Sequence, residues 1–174
     1  VVSEGVGLPV VVENDANAAG WAEARFGAGA GKANVLVVTL GTGVGGAVVI
    51  DGHLVRGAAG FAAEIGHISI VPDGRPCGCG LRGCLERYAS GTALGVNGWE
   101  LAKFRPAYAA RIIELSGGDQ NKISGKAVTA AAREGDPAAL ECYERLGDAL
   151  GQGLADLAAV LDPEVIVLTG GLTE

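Results

Sequence analysis

The sequence has no methionine, only two histidines and no run of lysines or arginines. Thirteen basic against twenty acidic residues give a net charge of −7. That balance argues against a face for nucleic acid or an anionic membrane on this chain. No apolar stretch reaches the roughly 20 residues of a membrane-spanning helix. Val1-Val2-Ser3-Glu4 has neither the basic start nor the apolar run of a secretory signal, so a cytoplasmic protein is expected. The absent methionine, and a last strand that meets Thr173-Glu174 almost at once, lead us to expect a piece of a longer protein.

What is present is apolar material and glycine. Of 174 residues, 49% are apolar and 19% charged, enough for the core of one ordinary domain or part of a larger one. Thirty are glycine, roughly 17% against an average of about 7%. There is no G-X-Y period and no 20–50-residue repeat, so the glycines serve loops and close packing.

The apolar run Val10-Val11-Val12 predicts a buried strand, ended by Glu13-Asn14-Asp15. Asn14 or Asp15 is a fit N-cap for an alanine-rich helix from Ala16 to Phe26. Strands are expected over 35–40 and 47–50, with Gly41-Thr42-Gly43-Val44-Gly45-Gly46 between them, then a short strand over 53–55 and another over 67–71. Residues 72–83 are too rich in glycine and proline for a regular element. A helix should open at Cys84, and 92–115 reads as helical. Ser124 caps a helix to about Arg133, and Asp136-Pro137 starts a long helix with leucines at three- and four-residue spacing. Residues 165–168 form a last buried strand before Gly170-Gly171. The order implies α/β with a mixed sheet.

Cys77-x-Cys79-x4-Cys84 brings three thiols onto one loop, and His67, ten residues earlier, is the natural fourth ligand of a tetrahedral zinc. With four protein ligands the metal would be structural, pinning a loop that has little core of its own. The alternatives are reduced thiols or a disulfide, the latter at odds with a cytosolic setting.

Asp15, where a strand meets a helix N-terminus, is either a cap or a general base that takes a proton from a substrate hydroxyl, the recurring protein part in phosphoryl transfer. The glycine run lacks the GK[ST] ending of a P-loop and precedes a strand, so it is not a Rossmann fingerprint. Its amides can still form an anion nest beside the Thr42 hydroxyl. Glu64 and Glu86 flank the cysteine loop; they are solvated charges or, with His67, groups that bind sugar hydroxyls.

Glu13-Asn14-Asp15-Ala16-Asn17-Ala18-Ala19, Leu40-Gly41-Thr42-Gly43-Val44-Gly45-Gly46, Glu64-Ile65-Gly66-His67 and Cys77-Gly78-Cys79-Gly80 through Gly83-Cys84-Leu85-Glu86 stand in this order along the chain. The set resembles the ROK family of bacterial sugar kinases, open reading frames and repressors, and is most similar to its actinobacterial-type, ATP-dependent glucokinases. The resemblance covers essentially the whole chain. It implies an actin-like, ribonuclease H-like ATPase fold, with residues 1–33 closing one lobe and 34–174 forming an incomplete second lobe around a zinc loop over 67–84. It implies transfer of the γ-phosphoryl of MgATP to the 6-hydroxyl of a hexose, glucose first among them, in a homodimer or a dimer of dimers.

Carried over position by position, Asp15 is the base. Asn14, Glu64, His67 and Glu86 bind the sugar. Thr42 and Gly43 lie against the ATP phosphates, and Gly170 and Gly171 face the adenosine. His67, Cys77, Cys79 and Cys84 bind zinc. Kinases for N-acetylmannosamine, N-acetylglucosamine or fructose share these motifs, and so do sugar-responsive repressors, whose helix-turn-helix has no counterpart here. Two departures stand out. Ala63 replaces the family's usual glycine before Glu64, and no D-x-G-x-T phosphate motif is present. The chain alone is therefore expected to be a poor or inactive kinase.

Overall fold

The computed structural model describes residues 2–173; Val1 and Glu174 lie outside the described residues. Helix α1 spans Val2–Val6 and α2 Asp15–Phe26; strands β1 (Val35–Leu40), β2 (Val44–Ile50) and β3 (His53–Leu54) follow. Then come α3 (Gly91–Phe104), α4 (Ala110–Leu115), α5 (Gly125–Arg133), α6 (Pro137–Leu161) and β4 (Val165–Thr169). The strands form one sheet in the order β3-β2-β1-β4. β1 pairs antiparallel with β2 and parallel with β4, so the sheet is mixed, as expected.

Alternation along β1 divides the core. Leu36, Val38 and Leu40, with Val44 and Val48 of β2, face the buried residues of α3, α5 and α6. Val35 and Val37, with Ala47, Val49 and Val167, face Ala24 and Trp21 of α2. Both faces are covered, which is why β1 reads as an unbroken apolar run. α2 sits close because Gly20 lacks the Cβ that would strike Ala47. At the far end, Glu164 clamps β4 to the start of β1: its carboxylate accepts from the Ala33 and Asn34 amides at 2.7 and 2.9 Å.

Several local expectations are corrected. Residues 10–12 are not a strand: they have no ladder partner among the described residues, and Val11 and Val12 are 85% and 93% exposed. β2 begins at Val44 rather than Ala47, so Gly45 and Gly46 lie within it. Residues 67–71 are not a strand either. Ile65–His67 is a single 3-10 turn, and Ser69 makes one isolated bridge to Cys84. The helix expected from Cys84 is a 3-10 turn over Leu85–Arg87. Residues 92–115 hold two helices, α3 and α4, separated at Arg105. Helix α1, whose residues are all exposed, was not expected.

Candidate functional site

The start of β2 is the hub. A Cβ on Gly43 would meet a Glu86 carboxylate oxygen, and one on Gly45 would meet Ala16 of α2 and the Thr39 hydroxyl. A Cβ on Gly46 would meet the Ile65 side chain, and one on Gly66 would strike the Val44 carbonyl. The missing methyls thus let three segments close on one hairpin: the start of α2, the turn from Glu64 to His67, and the turn that carries Glu86.

Asn14 caps α2, its Oδ1 accepting from the Asn17 amide at 3.0 Å. A cap of this kind is worth about 1 kcal/mol. Because Asn14 takes that role, Asp15 is not the cap. Its exposed carboxylate accepts from the adjacent Ala16 amide at 2.8 Å. Glu13 braces this corner. Its carboxylate accepts from the Asn14 amide and from Asn17 Nδ2, and from Arg56 Nε at 2.7 Å. The hydrogen bond from Arg56 is the main reason the Glu13 carboxyl is held below its ordinary value. Asn17 is 3% exposed, and its Oδ1 has no hydrogen-bond partner among the described residues.

The cysteine loop converges as the spacing suggested. The donor atoms of His67, Cys77, Cys79 and Cys84 all lie within 4.8 Å of one another. Cys77 Sγ is 3.5 Å from His67 Nδ1, and Cys79 Sγ is 3.6 Å from Cys84 Sγ. All four cysteines of the chain are free, and the Cys79–Cys84 separation far exceeds the roughly 2.05 Å of a disulfide bond. Zinc–sulfur bonds of about 2.3 Å and zinc–nitrogen bonds of about 2.0–2.1 Å make a tetrahedron with edges of about 3.5–3.8 Å. Two of the pairs already have that spacing, so donor set and size both fit a zinc ion. Without a cation, burial first and then the neighbouring thiols push the Cys84 thiol up to about 12. The Leu81 amide draws the exposed Cys79 thiol down. Since Nδ1 is the His67 nitrogen on the sulfur side, Nε2 is the one left for another partner. Glu86 Oε1 lies 3.4 Å from Cys77 Sγ, which ties this carboxylate to the cysteine loop as well as to Gly43.

A cavity of about 870 Å3 opens on the other side of the hairpin turn. Thr42 lines it, with Gly91, Gly95 and Trp99 of α3, Lys126 of α5, and Gly171 after β4. Two of the four residues expected on the nucleotide side, Thr42 and Gly171, therefore meet. The other two do not line it: Gly43 turns to Glu86, and Gly170, at φ 105°, lies over the Leu40 backbone. Sequence reasoning missed the α3 and α5 wall, because its residues carry no motif. It also missed Arg56, whose link to Glu13 spans 43 positions and leaves no local trace.

The ROK family model matches residues 1–174. A glucokinase of Streptomyces coelicolor is 50% identical over 169 residues, covering 97% of this chain and 53% of that protein. A solved ROK family glucokinase from Streptomyces griseus, in complex with glucose and AMPPNP, superposes with a TM-score of 0.89 at 50% identity, covering 99% of this chain and 55% of that one. A ROK hexokinase from Thermus thermophilus superposes with a TM-score of 0.81 at 37% identity, covering 98% and 53%. The chain spans about half the length of the curated relatives it matches. A hairpin hub that gathers the family's four motifs and a match along the whole chain lead to one conclusion: this chain belongs to the ROK family.

Proposed function

We propose that the protein carrying this chain is an ATP-dependent hexokinase of glucokinase type. The 6-hydroxyl oxygen of glucose attacks the γ-phosphorus of MgATP, the hydroxyl proton passes to the Asp15 carboxylate, and ADP leaves. The observation that carries this reading is the division of labour at α2. Asn14 caps the helix, and Asp15 is left exposed beside the hairpin that also receives Glu86 and the Glu64–His67 turn.

In this reading Asn14, Glu64, His67 and Glu86 bind sugar hydroxyls. Thr42 and Gly171 meet ATP in the large cavity, Thr42 at the phosphates and Gly171 at the adenosine; Gly43 and Gly170 are assigned to the same two ends by the family pattern, from just outside its lining. Zinc held by His67, Cys77, Cys79 and Cys84 is structural; it cross-links a loop whose cluster is otherwise joined by thiol contacts alone. The lobes are those of an actin-like ATPase, with residues 1–33 ending one and 34–174 belonging to the other, assembled as a homodimer or homotetramer.

The test is ADP release with a panel of hexoses, glucose first, from the full-length protein with and without Asp15→Asn. Phosphorylation is expected to fall by about two or more orders of magnitude while glucose binding stays nearly intact. Loss of glucose binding together with turnover would make Asp15 a structural residue. Turnover only with N-acetylmannosamine, N-acetylglucosamine or fructose would reassign the sugar. Silence with every sugar from folded protein would favour a repressor.

A further inference from the structure

Arg75 has a role that the sequence did not suggest. It stands two residues before Cys77, at the root of the small hairpin closed by the Pro76–Arg82 bridge. Its guanidinium donates to the Arg87 carbonyl at 3.0 Å, to Asn97 Oδ1 at 2.9 Å and to both Glu100 oxygens at 3.0 Å. It also lies 5.0 Å from the Tyr88 ring, whose hydroxyl accepts from the Arg75 amide at 2.6 Å. Asn97 is 3% exposed, so its pairing with Arg75 is made away from water, where a lost partner is costly. No other residue of the cysteine loop has so many side-chain hydrogen bonds among the described residues.

The partners divide into two sets. Arg87 and Tyr88 belong to the turn just after Cys84, so one side chain holds the loop on both sides of its three cysteines. Asn97 and Glu100 belong to α3, one turn apart on one face. The opposite face of α3, carrying Gly91, Thr92, Gly95 and Trp99, is the wall of the large cavity. Gly95 packs directly on the backbone of Ser124 and Gly125, so the α5 side of that wall follows α3. A planar guanidinium with fixed donors transmits orientation as well as charge.

We propose that Arg75 is a positioning residue that couples the metal state of the cysteine loop to the shape of the large cavity. With metal bound the loop is rigid, and Arg75 holds α3 at one setting. Without it the arginine loses its fixed base, and the wall relaxes. Coupling of this kind is reciprocal: the cavity's ligand must tighten the metal site as much as the metal tightens the cavity. The proposal rests on the reading that zinc fills the cluster and an adenine nucleotide the cavity.

The experiment is calorimetric titration of AMPPNP into full-length protein, zinc-loaded and chelator-stripped, for wild type, Arg75→Gln and Glu100→Gln. Wild type is expected to bind AMPPNP at least about 5-fold more weakly when stripped, the lower end of ordinary allosteric coupling. In Arg75→Gln the ratio should fall to about 1, with zinc-loaded protein already binding at the stripped affinity. Glu100→Gln, a milder change that keeps the side-chain shape, should give an intermediate ratio and serves if Arg75→Gln does not fold. A residue that merely adds stability would lower the unfolding temperature and leave the ratio unchanged; an unchanged ratio in either variant overturns the proposal. So does zinc-independent binding by wild type, which leaves the nucleotide reading standing. Absence of AMPPNP binding in both states would remove that reading and the coupling with it.

Discussion

Two of the stretches that lack helix and sheet, residues 9–14 and 68–84, contrast sharply. Residues 9–14 are apolar where the sequence pattern demands a buried strand, yet Val11 and Val12 stand almost fully in solvent. Residues 68–84 have few apolar side chains of their own, yet Cys84 is completely buried and the loop closes on itself through the backbone. Ile70 and Val71 donate to the Gly83 carbonyl, Gly83 to the Arg75 carbonyl, and Cys77 to the Leu81 carbonyl. The lesson is that a strand is a property of a pair. Among the described residues the three valines have no neighbouring ladder to bury them, whereas the glycine-rich loop closes because its thiols, its arginine and its amides have partners. The corner proposed as the active site joins these opposites, since Asp15 follows the exposed stretch directly and Glu86 follows the tight one.

The largest expected effect falls on the tight stretch. Cys84→Ser should take zinc from about one per chain to none and open the loop to proteolysis between residues 68 and 84; elemental analysis and limited digestion check both. A variant that kept its zinc would show that the thiols do not set the contrast. Gly83→Ala comes next. Gly83 has φ 77°, and an added Cβ would lie against the Val71 carbonyl. Steric strain and overpacking together predict a loss of about 3 kcal/mol in chemical denaturation. A loss under about 1 kcal/mol would mean the loop is more pliable than its hydrogen bonds imply.

Ala63→Gly tests the join between the two stretches. Ala63 sits at φ 65°, the left-handed region that glycine occupies freely, immediately before Glu64. Removing the methyl should stabilise the fold by about 0.5–1 kcal/mol, measured by the shift in denaturation midpoint. Destabilisation would show that the methyl's packing outweighs its strain. The smallest effect belongs to the exposed stretch. With its folded value held below the ordinary one, Glu13 adds stability above the ordinary carboxylate range, and this is lost as pH falls through the folded value. Glu13→Gln should flatten the acid side of the stability profile and leave it unchanged once the pH is below the folded value. An unchanged acid limb would mean that Arg56 does not brace the Asp15 corner.

Much of the architecture was legible because it rests on local signals. The Asn14, Ser124 and Asp136 caps, the apolar run of β1 and the leucine spacing of α6 all act within one turn or one strand, and each stands where expected. The Cys/His cluster was legible because three of its four members fall within eight residues. What failed were apolar runs without a partner, at 10–12 and 67–71, because hydrophobicity specifies burial but not what does the burying. The cavity wall and the Arg75 cluster were invisible for the same reason as the Arg56–Glu13 pair. They are made by residues at least 12 positions apart, joined only once the chain has folded.

The glycines at the start of β2 have a consequence for how this protein tolerates mutation. Gly43, Gly45 and Gly46 carry no side chain, yet each borders a different segment of the candidate site at van der Waals range. A systematic substitution survey would therefore score them as severely as Asp15, and for a different cause: volume rather than chemistry. Loss of function at these positions should be partly recoverable by trimming the opposing side chain, for instance Ile65 against Gly46. No second-site change should restore a missing carboxylate at position 15.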